Sequence, residues 1–210
     1  MKYLTFSKKI LLILTVTLFA YFPVQATHYM GGEITWTCIE SGLTQGMYIF
    51  RLKLYRDCNG TTIIGSQIIT VHNHPSVFSI PVNLIPGSPS DISPLCDPVN
   101  SGNPQMDCLN PQQGSIEEHV YESLPTNLPG IPPVGGWHFT WDGFARNNAI
   151  INLSNPGSLG MTLRAIMYPY TTGGVTQNTS PCFDSSPQFV EQPKTIICTG
   201  YPFSYSHNAS

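Results

Sequence analysis

The chain has 210 residues, only 10% of them charged, and a formal net charge of −3. Three of its nine basic residues sit in the first nine positions, leaving six against twelve acids in the remainder, and no basic stripe with interleaved aromatics occurs; this argues against nucleic acid and other polyanions as partners. Eighteen Gly and nineteen Pro among abundant Thr, Ser, Val, Ile and Tyr are the composition of short strands joined by turns, with enough apolar content to exclude a disordered chain.

Lys2, Lys8 and Lys9 precede an apolar run from Ile10 to Phe22 that ends in Val24-Gln25-Ala26. This is the pattern of a secretory signal peptide over 1–26, too short for a helix that stays in the membrane. Cleavage after Ala26 is expected, and no later stretch is long and apolar enough to span a bilayer. The protein is therefore expected to be exported, secreted or held at the cell surface.

Period-two patterns then recur. In GGEITWTC, Ile34, Trp36 and Cys38 point one way and Glu33, Thr35 and Thr37 the other. In MYIFRLKLYRDC, Tyr48, Phe50, Leu52 and Leu54 form the apolar face, opposite Arg51, Lys53, Tyr55 and Asp57. Strands are also predicted over 62–71 and 76–82, on either side of a His-Asn-His-Pro turn. Residues 86–114 form a long irregular excursion containing Cys96 and Cys108. Strands resume at 116–124, 136–144, 147–153 and 161–170. Gly173-Gly174 and residues 178–187 read as a linker, and Phe189 to Tyr205 as the first strands of a further domain.

The predicted fold is all-β: an Ig-like or cadherin-like antiparallel β-sandwich over 27–182 with a long irregular disulfide-stapled loop. Residues 183–210 are expected to be a linker and the opening strands of a second, truncated domain.

Cys38, Cys58, Cys96, Cys108, Cys182 and Cys198 form an even set, read as three disulfides in an oxidising compartment. Neighbour pairing would join Cys96 to Cys108 and Cys182 to Cys198, leaving Cys38 with Cys58. A simple hairpin of the first two strands opposes that last pair, because Cys58 would lie about 36 Å from the position facing Cys38, whereas a disulfide needs Cα atoms within about 7 Å. No Cys-x-x-Cys spacing suggests zinc or a redox pair.

The other chemistry-bearing residues are scattered. His72 and His74, at i and i+2, could share a strand face and start a metal site, but no third ligand is evident and Pro75 favours a turn. Glu33, Asp57, Asp142 and Arg146 could be drawn into a carboxylate-pair glycosidase; acids near Arg51, Lys53 and Arg56 read better as cross-strand ion pairs. Nucleophile-elbow, phosphate-loop and zinc-protease motifs are absent, and the chain is not expected to be an enzyme. Trp137, Phe139 and Trp141 lie on one strand face and are either core or a sugar-stacking strip; the polar His138, Thr140 and Asp142 opposite favour core.

The segments THYMGGEITWTC, YIFRLKLYRDCNG, ARNNAIINLSNPG and SPCFDSSPQFVEQPKTIICTGYPFSYSHNA resemble the N-terminal region of large secreted surface proteins of Bacteroidota, of the PKD-domain and gliding-motility-associated C-terminal-domain type. The resemblance implies export by a system that reads a C-terminal sorting domain, a string of Ig-, PKD- or cadherin-like domains continuing past Ser210, and adhesion or matrix contact. Relatives carry two adjacent cysteines where this chain has Phe144 and Ala145. They continue into an acid-rich turn that could hold calcium, which here would lie beyond Ser210. No cofactor is assigned within the chain, and the implied partner is a surface glycan or protein. The alternative reading is a carbohydrate-binding module accessory to a secreted hydrolase, using Trp137, Phe139 and Trp141.

Overall fold

The computed structural model describes residues 29–94, 106–111, 114–144, 146–148, 150–176, 184–189 and 204. Among these the regular structure is β, with one 3₁₀ turn at Pro156–Ser158. The strands are β1 (Tyr29–Cys38), β2 (Tyr48–Asp57), β3 (Ser66–His72), β4 (Ser79–Leu84), β5 (Ser90–Asp91), β6 (Ile116–Ser123), β7 (Trp137–Phe144), β8 (Gly160–Met167), β9 (Thr171–Thr172) and β10 (Val175–Thr176).

One antiparallel sheet runs in the order β1-β2-β6-β4-β3-β7-β8, with β5 paired to β6. It rolls until its ends meet as a near-barrel, sandwich-like arrangement: Tyr29 bridges Arg146 and its ring meets Trp141 edge-on at 5.0 Å. The expected all-β antiparallel architecture is what the chain adopts. The interior follows the predicted alternation, since Ile34, Trp36, Cys38, Tyr48, Phe50, Leu52 and Leu54 are all buried. Phe139 is the hub of this core, 4.7 Å from the Phe50 ring and 5.4 Å from Trp36. Ring pairs at these spacings add about 0.5–1.5 kcal/mol beyond the area they bury.

Closure between β1 and β8 depends on a missing side chain. A Cβ on Gly32 would sit 2.5 Å from the Lys53 carbonyl oxygen and 2.7 Å from Leu163 Cδ1, so glycine is what lets the last strand lie across the first.

Two expectations are corrected here. Residues 147–153 are not a strand: Asn147 donates its backbone N–H to the Tyr29 carbonyl, Asn148 Oδ1 accepts from the Gly157 amide, and the chain turns through Asn155 at φ 52° into the 3₁₀ turn. An Asn side chain that accepts from backbone, as Asn148 does, competes with ladder formation, and the Asn147 side chain is held by the Asp57 carboxylate instead. The Gly173-Gly174 pair is a two-residue hairpin turn rather than linker, both residues at positive φ, joining β9 to β10.

The disulfide pairing also differs. Cys58 bonds Cys108, with Cα atoms 5.4 Å apart, so neither Cys96–Cys108 nor Cys38–Cys58 forms. The geometric objection was sound: β1 and β2 are a hairpin with Cys38 opposite Tyr48, which leaves Cys58 at the far end. Pairing of β2 with β6 sets Asp57 opposite Ile116, and this brings Cys58 to the returning end of the excursion. Asp91 secures that end, its carboxylate accepting from the amides of Ser93 and Cys108. Cys38 is also in a disulfide, with a partner outside the described residues. The Cys182–Cys198 pairing, the leader and the proposed second-domain strands past residue 189 lie outside them too. Within the expected linker, residues 184–188 lie against β1, where Ser186 exchanges hydrogen bonds with the Trp36 backbone and Ser185 Oγ accepts from the Cys38 amide.

Substituting Gly32→Ala should destabilise the fold by about 1–3 kcal/mol, the usual cost of overpacking. Gly31→Ala, whose Cβ would meet only Tyr55 Cδ2 at 3.8 Å, should cost far less. Urea unfolding of the two variants measures the difference. Removing the Cys58–Cys108 bond, which closes a loop of 50 residues, should cost about 4 kcal/mol from loop entropy, read by the same transition in the Cys58→Ala, Cys108→Ala double variant without reductant.

Candidate ligand-binding face

Three groups of polar side chains could carry function, and their surroundings separate them. The first lies inside the roll. Arg56 shares the inward parity of Leu52 and Leu54, and its guanidinium pairs with Glu117, opposite it on β6. Arg56 Nε donates to Glu117 Oε1 at 2.7 Å, Nη1 to the Gly60 carbonyl, and His119 Nε2 meets the same Oε1 at 2.5 Å. Burial pushes the Glu117 carboxyl up, but the hydrogen bonds and charges of His119 and Arg56 outweigh it and the net shift is downward. Glu117 also approaches the Cys58–Cys108 sulfurs. Those sulfurs are bonded to each other and offer no thiolate, so the group acts as a buried ionic pin under the disulfide.

The second group surrounds the His-Asn-His-Pro turn. Asn73 takes φ 65°, which breaks the strand and sends the two histidines apart. His72 stays outward, its Nε2 2.9 Å from Thr140 Oγ1. His74 turns in, its ring 4.5 Å from that of Trp137, and its Nδ1 accepts from the amides of Ser76 and Val77. A two-histidine metal site is therefore not formed here; His74 is a turn organiser. Burial lowers its pKa, with the Pro129 backbone opposing.

The third group is the outward face of β3, β7 and β8. Alternation along β7 buries Trp137, Phe139 and Trp141 to 1%, 0% and 3% exposure. This overturns the stacking strip: those rings fill the core and cannot meet a ligand. The same alternation turns His138, Thr140, Asp142 and Phe144 outward, and Phe144 is 62% exposed. The ladders place His72 opposite His138, Thr70 beside Thr140, Arg164 opposite Thr140, Thr162 opposite Asp142 and Gly160 opposite Phe144. The result is an open, hydrogen-bonding surface with one aromatic at its end.

The four residues of the carboxylate-pair reading are not brought together as a catalytic set. Glu33 pairs with Lys53 at 2.9 Å across the ladder, as expected of a cross-strand ion pair. Asp57 accepts from Asn147 and Asn59, Asp142 from Thr162, and Arg146 donates to the Gly160 carbonyl. Arg164 and Phe144, which the sequence reading passed over, were findable by parity: each sits on the outward register of its strand.

Comparison with protein-family models, curated proteins and solved structures yields no significant match. No helix among the described residues is long and apolar enough to cross a membrane.

Replacing Arg56 with Ala should cost about 3–5 kcal/mol, because Glu117 is left buried without its cation; the double replacement Arg56→Met with Glu117→Leu should recover most of that loss. Both folded-state shifts, Glu117 below its ordinary 4.5 and His74 below 6.5, favour the deprotonated form in the fold. Stability from Glu117 is thus present above about pH 4.5 and lost as pH falls through its folded value, and that from His74 is present above about 6.5 and likewise lost on acidification. Denaturation midpoints should drop between pH 7 and 5, and His74→Gln should flatten that part of the profile.

Proposed function

We propose that the chain acts outside the cell as a non-catalytic, disulfide-bonded module of a larger adhesin-like surface protein, mediating adhesion or matrix contact. The observation that carries this reading is the ordered, exposed face of β3, β7 and β8, built on strands whose other side is a closed core. A rigid sheet face presents ligand-binding groups without needing a reacting centre. The leader pattern of residues 1–26 and the disulfides at Cys38, Cys58 and Cys108 support an oxidising, extracellular setting. The resemblance to Bacteroidota multidomain surface proteins supports further β-domains past Ser210.

The alternative, a carbohydrate-binding module accessory to a secreted hydrolase, is favoured by one feature: exposed Phe144 on the same outward row of β7 as Asp142 and Thr140, which lie opposite Thr162 and Arg164. It would use the outward row of β7 in place of Trp137, Phe139 and Trp141.

Expression from the native reading frame should yield a product that starts at Thr27, is removed from intact cells by external protease, and shows no thiol reactive toward Ellman's reagent when denatured without reductant. A protease-protected product with free thiols would refute the extracellular assignment.

A further inference from the structure

We propose that the outer edge of β1 at residues 36–38 is a strand-pairing site that residues 184–188 of the same chain hold closed, and that lifting this strap lets the edge pair antiparallel with that of a second copy.

β1 is the end strand of its sheet, paired on one side with β2. Near its start β8 lies across it, with Leu163 against Gly32. Near its end the strap takes over and imitates a ladder. The Ser186 amide donates to the Trp36 carbonyl at 3.0 Å, but the Trp36 amide donates to Ser186 Oγ, at 2.8 Å, where a partner strand would offer a carbonyl. Two residues on, the Cys38 amide donates to Ser185 Oγ at 3.1 Å, and Thr37 Oγ1 accepts from the Gln188 side chain at 3.1 Å. Alternate residues of a strand direct their amides to one edge, so Trp36 and Cys38 present the spacing that a true partner strand reads. Serine hydroxyls fill both places, and among the described residues a single backbone bond joins strap and strand.

The strap is held less firmly than a strand. Ser185, Pro187 and Gln188 are exposed. Asp184 brings a carboxyl to a half-buried seat, where burial pushes it up by more than the Trp36 indole pulls it down, so its charge disfavours docking. The edge beneath suits its own kind. Residues 34–38, Ile-Thr-Trp-Thr-Cys, contain neither a charge nor a proline, the devices that keep an edge strand from pairing. A two-fold axis beside β1 would set the same donors and acceptors against each other, the isologous arrangement, with no like charges directly opposite. Pairing of this kind adds a strand to an existing sheet through main-chain hydrogen bonds.

The test is sedimentation of the exported chain, without reductant, as wild type and as the Ser185→Ala, Ser186→Pro double variant, which lacks both hydroxyls and the Ser186 N–H. Wild type should sediment as a monomer, and the variant should dimerise with a dissociation constant about tenfold or more below that of wild type. In hydrogen exchange, the Trp36 amide should be protected in the dimer and exchange about tenfold faster or more once the variant is diluted to monomer. Thr37→Lys in the same background puts a charge at an exposed edge position and should weaken the dimer about tenfold or more. Ser186→Ala alone keeps the backbone bond and should move both readings in the same direction by a smaller factor. The assignment is overturned by a double variant that stays monomeric, by a dimer indifferent to Thr37→Lys, or by a Trp36 amide whose exchange ignores the substitutions. Should the double variant lose amide protection throughout β2 and β6, it has unfolded and Ser186→Ala decides: self-association no stronger than wild type overturns the site.

Discussion

Alternation along β7 sends Trp137, Phe139 and Trp141 into the interior and His138, Thr140, Asp142 and Phe144 out to solvent. Because the side-chain period of a strand is two, a slip of one residue would exchange the sets, placing three large aromatics in water and a histidine, a threonine and an aspartate in the core. Packing of Phe139 against Trp36 and Phe50 makes that slip costly, since each large ring would forfeit its buried area, on the order of 25 cal/mol per Å². The core contact thereby sets the register of the outward face of β7 and its neighbours. His72 against His138 and Arg164 against Thr140 are consequences of it.

Closure and cross-linking hold the same surface from the two ends of the sheet. Gly32 allows β8 to pack over β1, so Arg164 sits on a strand supported from behind through Leu163. At the other side Cys58–Cys108, the Asp91 carboxylate and the Arg56–Glu117–His119 group fasten the long excursion to β2 and β6. Arg56 and Glu117 are paired toward the interior, which suits a pin, whereas Arg164 is exposed and contacts His138.

Much of the fold was legible in the residues because alternation is local. The faces of GGEITWTC and MYIFRLKLY could be read directly, and their apolar residues are the core. What could not be read is the outcome of non-local pairing. Cys58 meets Cys108 because β2 joins β6 across some sixty positions of sequence, and neighbour spacing carries no information about that. NNAIINL has a strand-like composition but is not a strand, because the bonds of Asn147 to Asp57 and Tyr29 and of Asn148 to the Gly157 amide are invisible to a periodicity count. The β7 strand was half legible: its aromatic row stands out in the sequence, but those rings are core and the exposed residues are their outward neighbours. Hydrophobic size marked the buried side, while the contact of Arg164 with His138 is a three-dimensional fact.

The most direct measurement is a nuclear Overhauser spectrum of the isotopically labelled chain, which reports which side of β7 faces the core. The Phe139 ring should show contacts with the rings of Phe50 and Trp36, 4.7 and 5.4 Å away, while His138 shows contacts with His72 across the ladder. Contacts of His138 or Thr140 with the Phe50 and Trp36 rings in place of Phe139 would contradict the register on which the rest of the sheet depends.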